Sequence, residues 1–210
     1  MHNMPTPEYA WCSSEATHSH SYLMPLVSRY VASLPPGSRV LDLGCGNGAT
    51  LARLNNRPLE FAGLELSAAG LALAREQNPG VEIEEADLTE DLSKHRWAGA
   101  FDLIISLEVV EHVFLPRVYA RNCFTFLRPG GRLLVSTPYH GYLKNLALAA
   151  SGKLDAHFTA LWDYGHIKFW SRPTLTHLLS EAGFENISFH GTGRIPWLWK
   201  SMVLAADKPL

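Results

Sequence analysis

VLDLGCGNG, residues 40–48, joins an apolar run to three closely spaced glycines, Gly44, Gly46 and Gly48. The apolar residues suit a strand buried on both faces, and SRVLDLG (38–44) marks its extent. Glycines after such a strand permit positive φ and let the backbone approach a ligand. A helix opening behind them, reaching Leu54, offers unpaired N–H groups to the same ligand. The spacing differs from the dinucleotide pattern G-x-G-x-x-G, which argues against a nicotinamide-dependent oxidoreductase. No Gly-Lys-Ser/Thr follows, so it is not a nucleoside-triphosphate loop either.

Outward from this loop the chain alternates strands and helices. LEFAGLEL (59–66), VEIEEAD (81–87), FDLIISL (101–107) and GRLLVST (131–137) read as further strands. Ser67 is the expected N-cap of a helix through Gln77, and a helix near 116–127 is expected to end at Arg128-Pro129-Gly130-Gly131. Before the loop, Leu23, Leu26, Val27, Tyr30, Val31 and Leu34 recur at helical spacing behind a polar arm over 1–16. After Pro138 the rhythm breaks, and residues 139–165 read as one or two short helices inserted ahead of a crossover helix over 171–182. FENISFHG (184–191) and WKSMVLAADKP (199–209) are expected to close the fold as an antiparallel hairpin. The fold class is α/β: a doubly wound, mostly parallel sheet covered on both faces.

The chain of 210 residues, 47% hydrophobic, reads as a single domain over 1–210. It divides into an N-terminal arm and helix (1–37), a cofactor-binding core (38–138), a helical insert (139–165) and a C-terminal helix and hairpin (166–210). A formal charge of −2 gives no general electrostatic reason for a nucleic acid or anionic membrane partner. Cys12, Cys45 and Cys123 form no C-x-x-C pair and leave an odd thiol, which fits a reducing compartment. No signal peptide is visible and no apolar run approaches the ~20 residues needed to span a bilayer, so the expected location is cytoplasmic.

Two acids sharpen the glycine loop. Glu65 ends the second strand, where a carboxylate can accept both hydroxyls of a ribose, and Asp87 ends the third, within reach of an adenine amino group. The plainer alternative is a tight turn with two solvated loop acids. VLDLGCGNG, the acids of LEL and EADL, FDLIISLEVVEHV and LRPGGRLLVSTP together resemble the successive motifs of class I S-adenosylmethionine-dependent methyltransferases over about 38–138. The resemblance implies a Rossmann-like, seven-stranded sheet with an antiparallel last strand, and S-adenosylmethionine as cofactor. By the same resemblance Asp42, Gly44 and Gly46, in the loop that includes Cys45, border the methionine part. Glu65 holds the ribose, Leu66 packs on the adenine, Asp87 and Leu88 meet its edge, and Leu107 lies beside the sulfonium.

In LEVVEHV, Glu108, Glu111 and His112 have the spacing i, i+3, i+4, which on a helical turn places three ligands on one face. Two carboxylates and an imidazole suit Mg²⁺ or another divalent cation, with His166 of GHIKFWSR as the further ligand. The arrangement resembles the ubiquinone-biosynthesis O-methyltransferases and the small-RNA 3′-end 2′-O-methyltransferases. In those groups such residues hold a cation that binds the accepting hydroxyls. The alternative is an E-H pair that orients the cofactor or caps a helix without metal.

His140, at the end of the fifth strand, is a candidate general base alongside His112, or else a loop histidine bonded to backbone. His20 and Tyr22 are candidates to line the pocket. The insert carries Tyr142, Leu143, Leu146, Phe158, Leu161, Trp162 and Tyr164 with few charges, and RIPWLWKS (194–201) adds Trp197 and Trp199. It reads as a lid over the substrate, or as a weak membrane-surface contact edged by Lys144 and Lys153. The sequence thus points to O-methylation of a small-molecule hydroxyl. An RNA 2′-O-methyltransferase, disfavoured by the lack of basic flanking segments, and a non-catalytic cofactor-binding module are the alternatives.

Overall fold

A computed structural model describes residues 11, 13, 15–158 and 160–210; most of the polar arm and Cys12 lie outside them. Seven strands form one sheet in the order β3-β2-β1-β4-β5-β7-β6. They are β1 (Arg39–Leu43), β2 (Glu60–Glu65), β3 (Glu82–Glu85), β4 (Phe101–Leu107), β5 (Leu127–Pro138), β6 (Glu185–Thr192) and β7 (Ser201–Asp207). The first five run parallel to their neighbours, and β7 inserts antiparallel to both β5 and β6. The helices are α1 (His20–Ala32), α2 (Ala49–Leu54), α3 (Ala68–Gln77), α4 (Pro116–Phe126), α5 (Tyr142–Ala150), α6 (Leu154–Phe158) and α7 (Arg172–Glu181).

The central strands β1, β2, β4, β5 and β7 are mostly apolar because both faces are covered, and successive residues serve opposite faces. The edge strands β3 and β6 are more polar and more exposed. Val40, Leu103, Ile105, Leu134 and Val203 pack with α1, α2 and α3. Leu41, Leu43, Ile104, Leu133, Val135 and Leu204 pack with α4 and α7. Each fully buried leucine or isoleucine contributes about 1.5–3 kcal/mol. Local signals agree with this packing. Ser67 accepts from Gly70 N at 3.2 Å as the N-cap of α3, and Ser171 forms a capping box with Thr174 at the start of α7.

Two boundaries differ from expectation. β5 begins at Leu127, pairing with Phe101, and the next pair is Leu103 with Arg132. The Arg128–Gly131 segment therefore bulges within the strand rather than separating helix from strand, with Gly130 at φ 73°. β3 ends at Glu85, so Asp87 lies in the turn beyond it. The sheet order reverses between β1 and β4, each flanked by loops at its C-terminal end. That crevice is where open α/β sheets bind ligands.

Candidate functional site

The glycine loop leaves β1 and starts α2 with Gly44, Gly46 and Gly48 at φ 77°, 54° and 80°. Glu65, at the end of β2, ties it down: its carboxylate accepts from Gly46 N and Ser67 N, each at 2.8 Å. Asn47 donates to the carbonyls of Ser13 and Glu15 at 2.9 Å, which draws the N-terminal segment across the loop. Trp11 lies against this surface. A Cβ at Gly46 would collide with its ring, and one at Gly70 would lie 3.0 Å from its Cδ1. Nothing in the polar composition of that segment pointed to Trp11.

Asp42 is buried at the end of β1, and its Oδ2 has no hydrogen-bond partner. Burial, aided by the charge of Glu65, pushes its pKa up to about 8. An orphaned buried carboxylate oxygen beside the glycine loop fits a ligand that brings a cationic donor, as the ammonium of S-adenosylmethionine does. The Cys45 thiol packs into the core against Gly63, and burial raises its pKa well above the usual thiol value. Asp87 Oδ1 accepts from Thr89 N at 2.8 Å and Thr89 Oγ1 at 2.7 Å, fixing the turn after β3. Leu66 is half-buried beside Glu65, Leu88 is buried, and Leu107 is half-buried at the end of β4.

The segment after β4 is a turn rather than the expected helical turn, because Glu108 adopts φ 56°. That left-handed residue divides the ligand-type side chains. Glu108 turns to β5 and β7, accepting from Ser136 Oγ at 2.7 Å and Ser201 Oγ at 3.1 Å. Glu111, His112 and His166 instead converge, with ligand-type atoms within 4.8 Å of one another. His166 Nε2 is 3.9 Å from Glu111 Oε1. His112 Nδ1 donates to the Tyr164 and Gly165 carbonyls at 3.0 and 3.1 Å, which assigns its lone pair to Nε2. Glu111 is fully buried, and neither of its carboxylate oxygens has a hydrogen-bond partner. Burial and the nearby Glu108 raise its pKa well above the carboxylate range. Such a carboxylate beside two imidazoles fits a divalent cation.

The two ends of the crevice touch. A Cβ at Gly44 would fall 2.7 Å from Val109 Cγ2, so glycine is what lets the 108–113 turn pack on the cofactor loop. Beyond it, Tyr22, Glu108, His140, His166, Phe169 and Ser201 are among the residues lining a cavity of about 300 Å³. Burial, followed by the Lys144 charge, lowers the His140 pKa to about 4. Glu108 is raised to about 7 by burial. His20 does not reach this cavity but bonds Thr50 of α2 through Nε2 at 3.0 Å. A larger groove, about 590 Å³, lies at the opposite end of the sheet. Four of its charges pair, Arg128 with Asp102 and Arg132 with Asp207, both at 2.6 Å.

Residues 16–189 match a family described as methyltransferase domain. A ubiquinone biosynthesis O-methyltransferase of Burkholderia pseudomallei (strain 1710b) is 28% identical over 175 residues, which covers 82% of this chain and 75% of that one. Among solved structures, the [4+2]-cyclase SpnF has a TM-score of 0.67 at 19% identity, over 88% of this chain and 80% of that one. A phosphoethanolamine N-methyltransferase from Haemonchus contortus has a TM-score of 0.65 at 15% identity, over 89% and 52%. Neighbours of such different chemistry share the fold and leave the acceptor to be argued from the site. The family match over most of the chain, with the seven-stranded sheet and glycine loop described above, makes the protein a class I S-adenosylmethionine-dependent methyltransferase.

Proposed function

We propose that the protein methylates a hydroxyl of a small-molecule acceptor, with a divalent cation at Glu111, His112 and His166 engaging that hydroxyl. The supporting observation is the fully buried Glu111 carboxylate, without a hydrogen bond at either oxygen, facing two histidines beside the cavity. S-Adenosylmethionine, when bound, supplies an electrophilic methyl group, and a divalent cation, when bound, lowers the pKa of a hydroxyl it binds. The chain supplies position and proton handling. Asp42 and Glu65, on either side of the glycine loop, hold the cofactor, with Leu66, Asp87, Leu88 and Leu107 bordering it. Glu108, lining the cavity with a pKa of about 7, suits the hydroxyl proton better than His140, whose pKa of about 4 makes it a weak acceptor. Alignment of the hydroxyl with the methyl group in a water-poor cavity then provides much of the acceleration.

The 139–165 insert selects the acceptor as a lid, and its exposed Tyr142, Leu143, Leu146 and Leu161 form an apolar outer surface suited to weak contact with a membrane surface. No helix of the described residues is long and apolar enough to cross a membrane. Buried, unpaired Cys45 and Cys123 support a reducing, cytoplasmic setting. The test is methyl transfer from labelled S-adenosylmethionine to a panel of catechols and phenols, before and after exhaustive chelation. Activity that disappears on chelation and returns with Mg²⁺ or Mn²⁺ supports the reading. Full activity after chelation, or transfer only to amines, contradicts it.

A further inference from the structure

Helix α5 buries the wrong residue for packing alone. Of YLKNLALAA, Lys144 is the buried one at 7% exposure, whereas Tyr142 (78%), Leu143 (50%) and Leu146 (51%) face outward. This orientation strips water from an ammonium and leaves apolar side chains wet, both unfavourable. A helix free to rotate would do the reverse, so something else fixes the lysine inward.

The buried ammonium has little to balance it. Its Nζ donates to Lys200 O at 3.4 Å, whereas an ammonium offers three donors. Among the described residues no ion pair reaches it. Burial holds its pKa down at about 8, with Arg194 adding repulsion and Glu108 a weaker attraction. Lys200 and Glu108 both line the acceptor cavity, and the Lys144 charge acts on two further lining residues, His140 and His157. The Lys144 ammonium therefore lies against the cavity wall, at the carbonyl of Lys200. Lys200 is already engaged, its Nζ 2.7 Å from His18 Nε2 and 5.3 Å from the Tyr22 ring centroid, and Arg194 is exposed. Neither lysine has an ion-pair partner among the described residues, and Lys144 is the more deeply buried of the two.

We propose that Lys144 binds an anionic oxygen group, a carboxylate, carried by the acceptor, so that the substrates are hydroxy acids rather than neutral phenols or alcohols. Resting on the hydroxyl-transfer reading above, this site adds the charge of the substrate. A carboxylate there gives Lys144 its missing partner in a desolvated setting, where charge-assisted hydrogen bonds are strong. Holding one end of a small acceptor also fixes where its hydroxyl lies, which is the positioning that methyl transfer requires.

The test compares 3,4-dihydroxybenzoate with its neutral amide, by calorimetric titration into protein saturated with S-adenosylhomocysteine and Mg²⁺. The wild type should bind the acid at least about tenfold more tightly than the amide. Lys144→Met, which fills the same volume without charge and should raise Tm, should erase that difference by weakening the acid alone. Lys144→Arg should retain part of it. Excess sodium acetate should leave amide binding unchanged; if acetate tightens the amide, the site takes a free anion and the proposal fails. Equal affinities in the wild type, no measurable binding of the acid, or an acid preference that survives in Lys144→Met also overturns it. Methyl transfer is scored separately: acid-selective binding without transfer to a hydroxyl refutes the reaction and leaves the anion site standing.

Discussion

Asp42 links cofactor binding to pH. The carboxyl is 2% exposed, its Oδ2 lacks a partner, and its pKa is about 8. Without ligand it is therefore mostly protonated at pH 7. A cationic ligand favours the ionised form, so binding should expel a proton. If only the carboxylate form binds, apparent affinity follows the ionised fraction: about one half at pH 8, one eleventh at pH 7 and one hundredth at pH 6. Affinity should thus fall about fiftyfold from pH 8 to pH 6, or about 2.3 kcal/mol. Titration calorimetry with S-adenosylhomocysteine, in buffers of different ionisation heat, reads both the affinity and the protons released. At pH 7 the release should be about 0.9 per ligand. Asp42→Asn should bind weakly with a flat pH profile, yet melt higher. The folded chain holds this proton more tightly than the unfolded chain, so the acid favours folding below about pH 4 and loses that contribution as pH rises towards 8. Flat wild-type affinity from pH 6 to pH 8 with no proton release would refute the reasoning.

Gly46→Val places a β-branched residue at φ 54° and drives it into Trp11; binding of S-adenosylhomocysteine should be lost, with about 1–3 kcal/mol of stability, by calorimetry and thermal melting. Mn²⁺ at a hundred times its Kd should raise Tm by about 5–10 °C, and Glu111→Gln or His166→Ala should cancel that rise. Replacing residues 142–158 with a short glycine-serine linker should raise KM for the acceptor at least about tenfold, with little change in cofactor affinity. Equal losses on both sides would remove the lid role.

Legibility followed the range of the interactions. The glycine loop, the Ser67 and Ser171 caps and the alternating apolar strands declare themselves because each depends on neighbours a few residues away. The three-residue cluster was visible only in part. Glu111, His112 and His166 could be named from spacing and resemblance, but the left-handed Glu108 that turns its own carboxylate towards Ser136 and Ser201 is set by β5 and β7. The start of β5 is hidden for a similar reason: Arg128-Pro129-Gly130-Gly131 reads as a turn, and only pairing of Leu127 with Phe101 makes it a bulge. Trp11 and Lys144 were the least legible. A tryptophan in a polar segment and a lysine among leucines carry no local signal for covering a glycine loop or for burial under a helix. Those roles appear only once Asn47 draws in the N-terminal segment and α5 packs against the body of the fold.

The most direct measurement is a crystal structure with S-adenosylhomocysteine and Mn²⁺, with data collected at an energy where manganese scatters anomalously. The cofactor should lie along Asp42, Gly46 and Glu65, with one anomalous peak among Glu111, His112 and His166. Cofactor bound away from the glycine loop, or a fully occupied cofactor with no anomalous peak at those three side chains, would contradict the account.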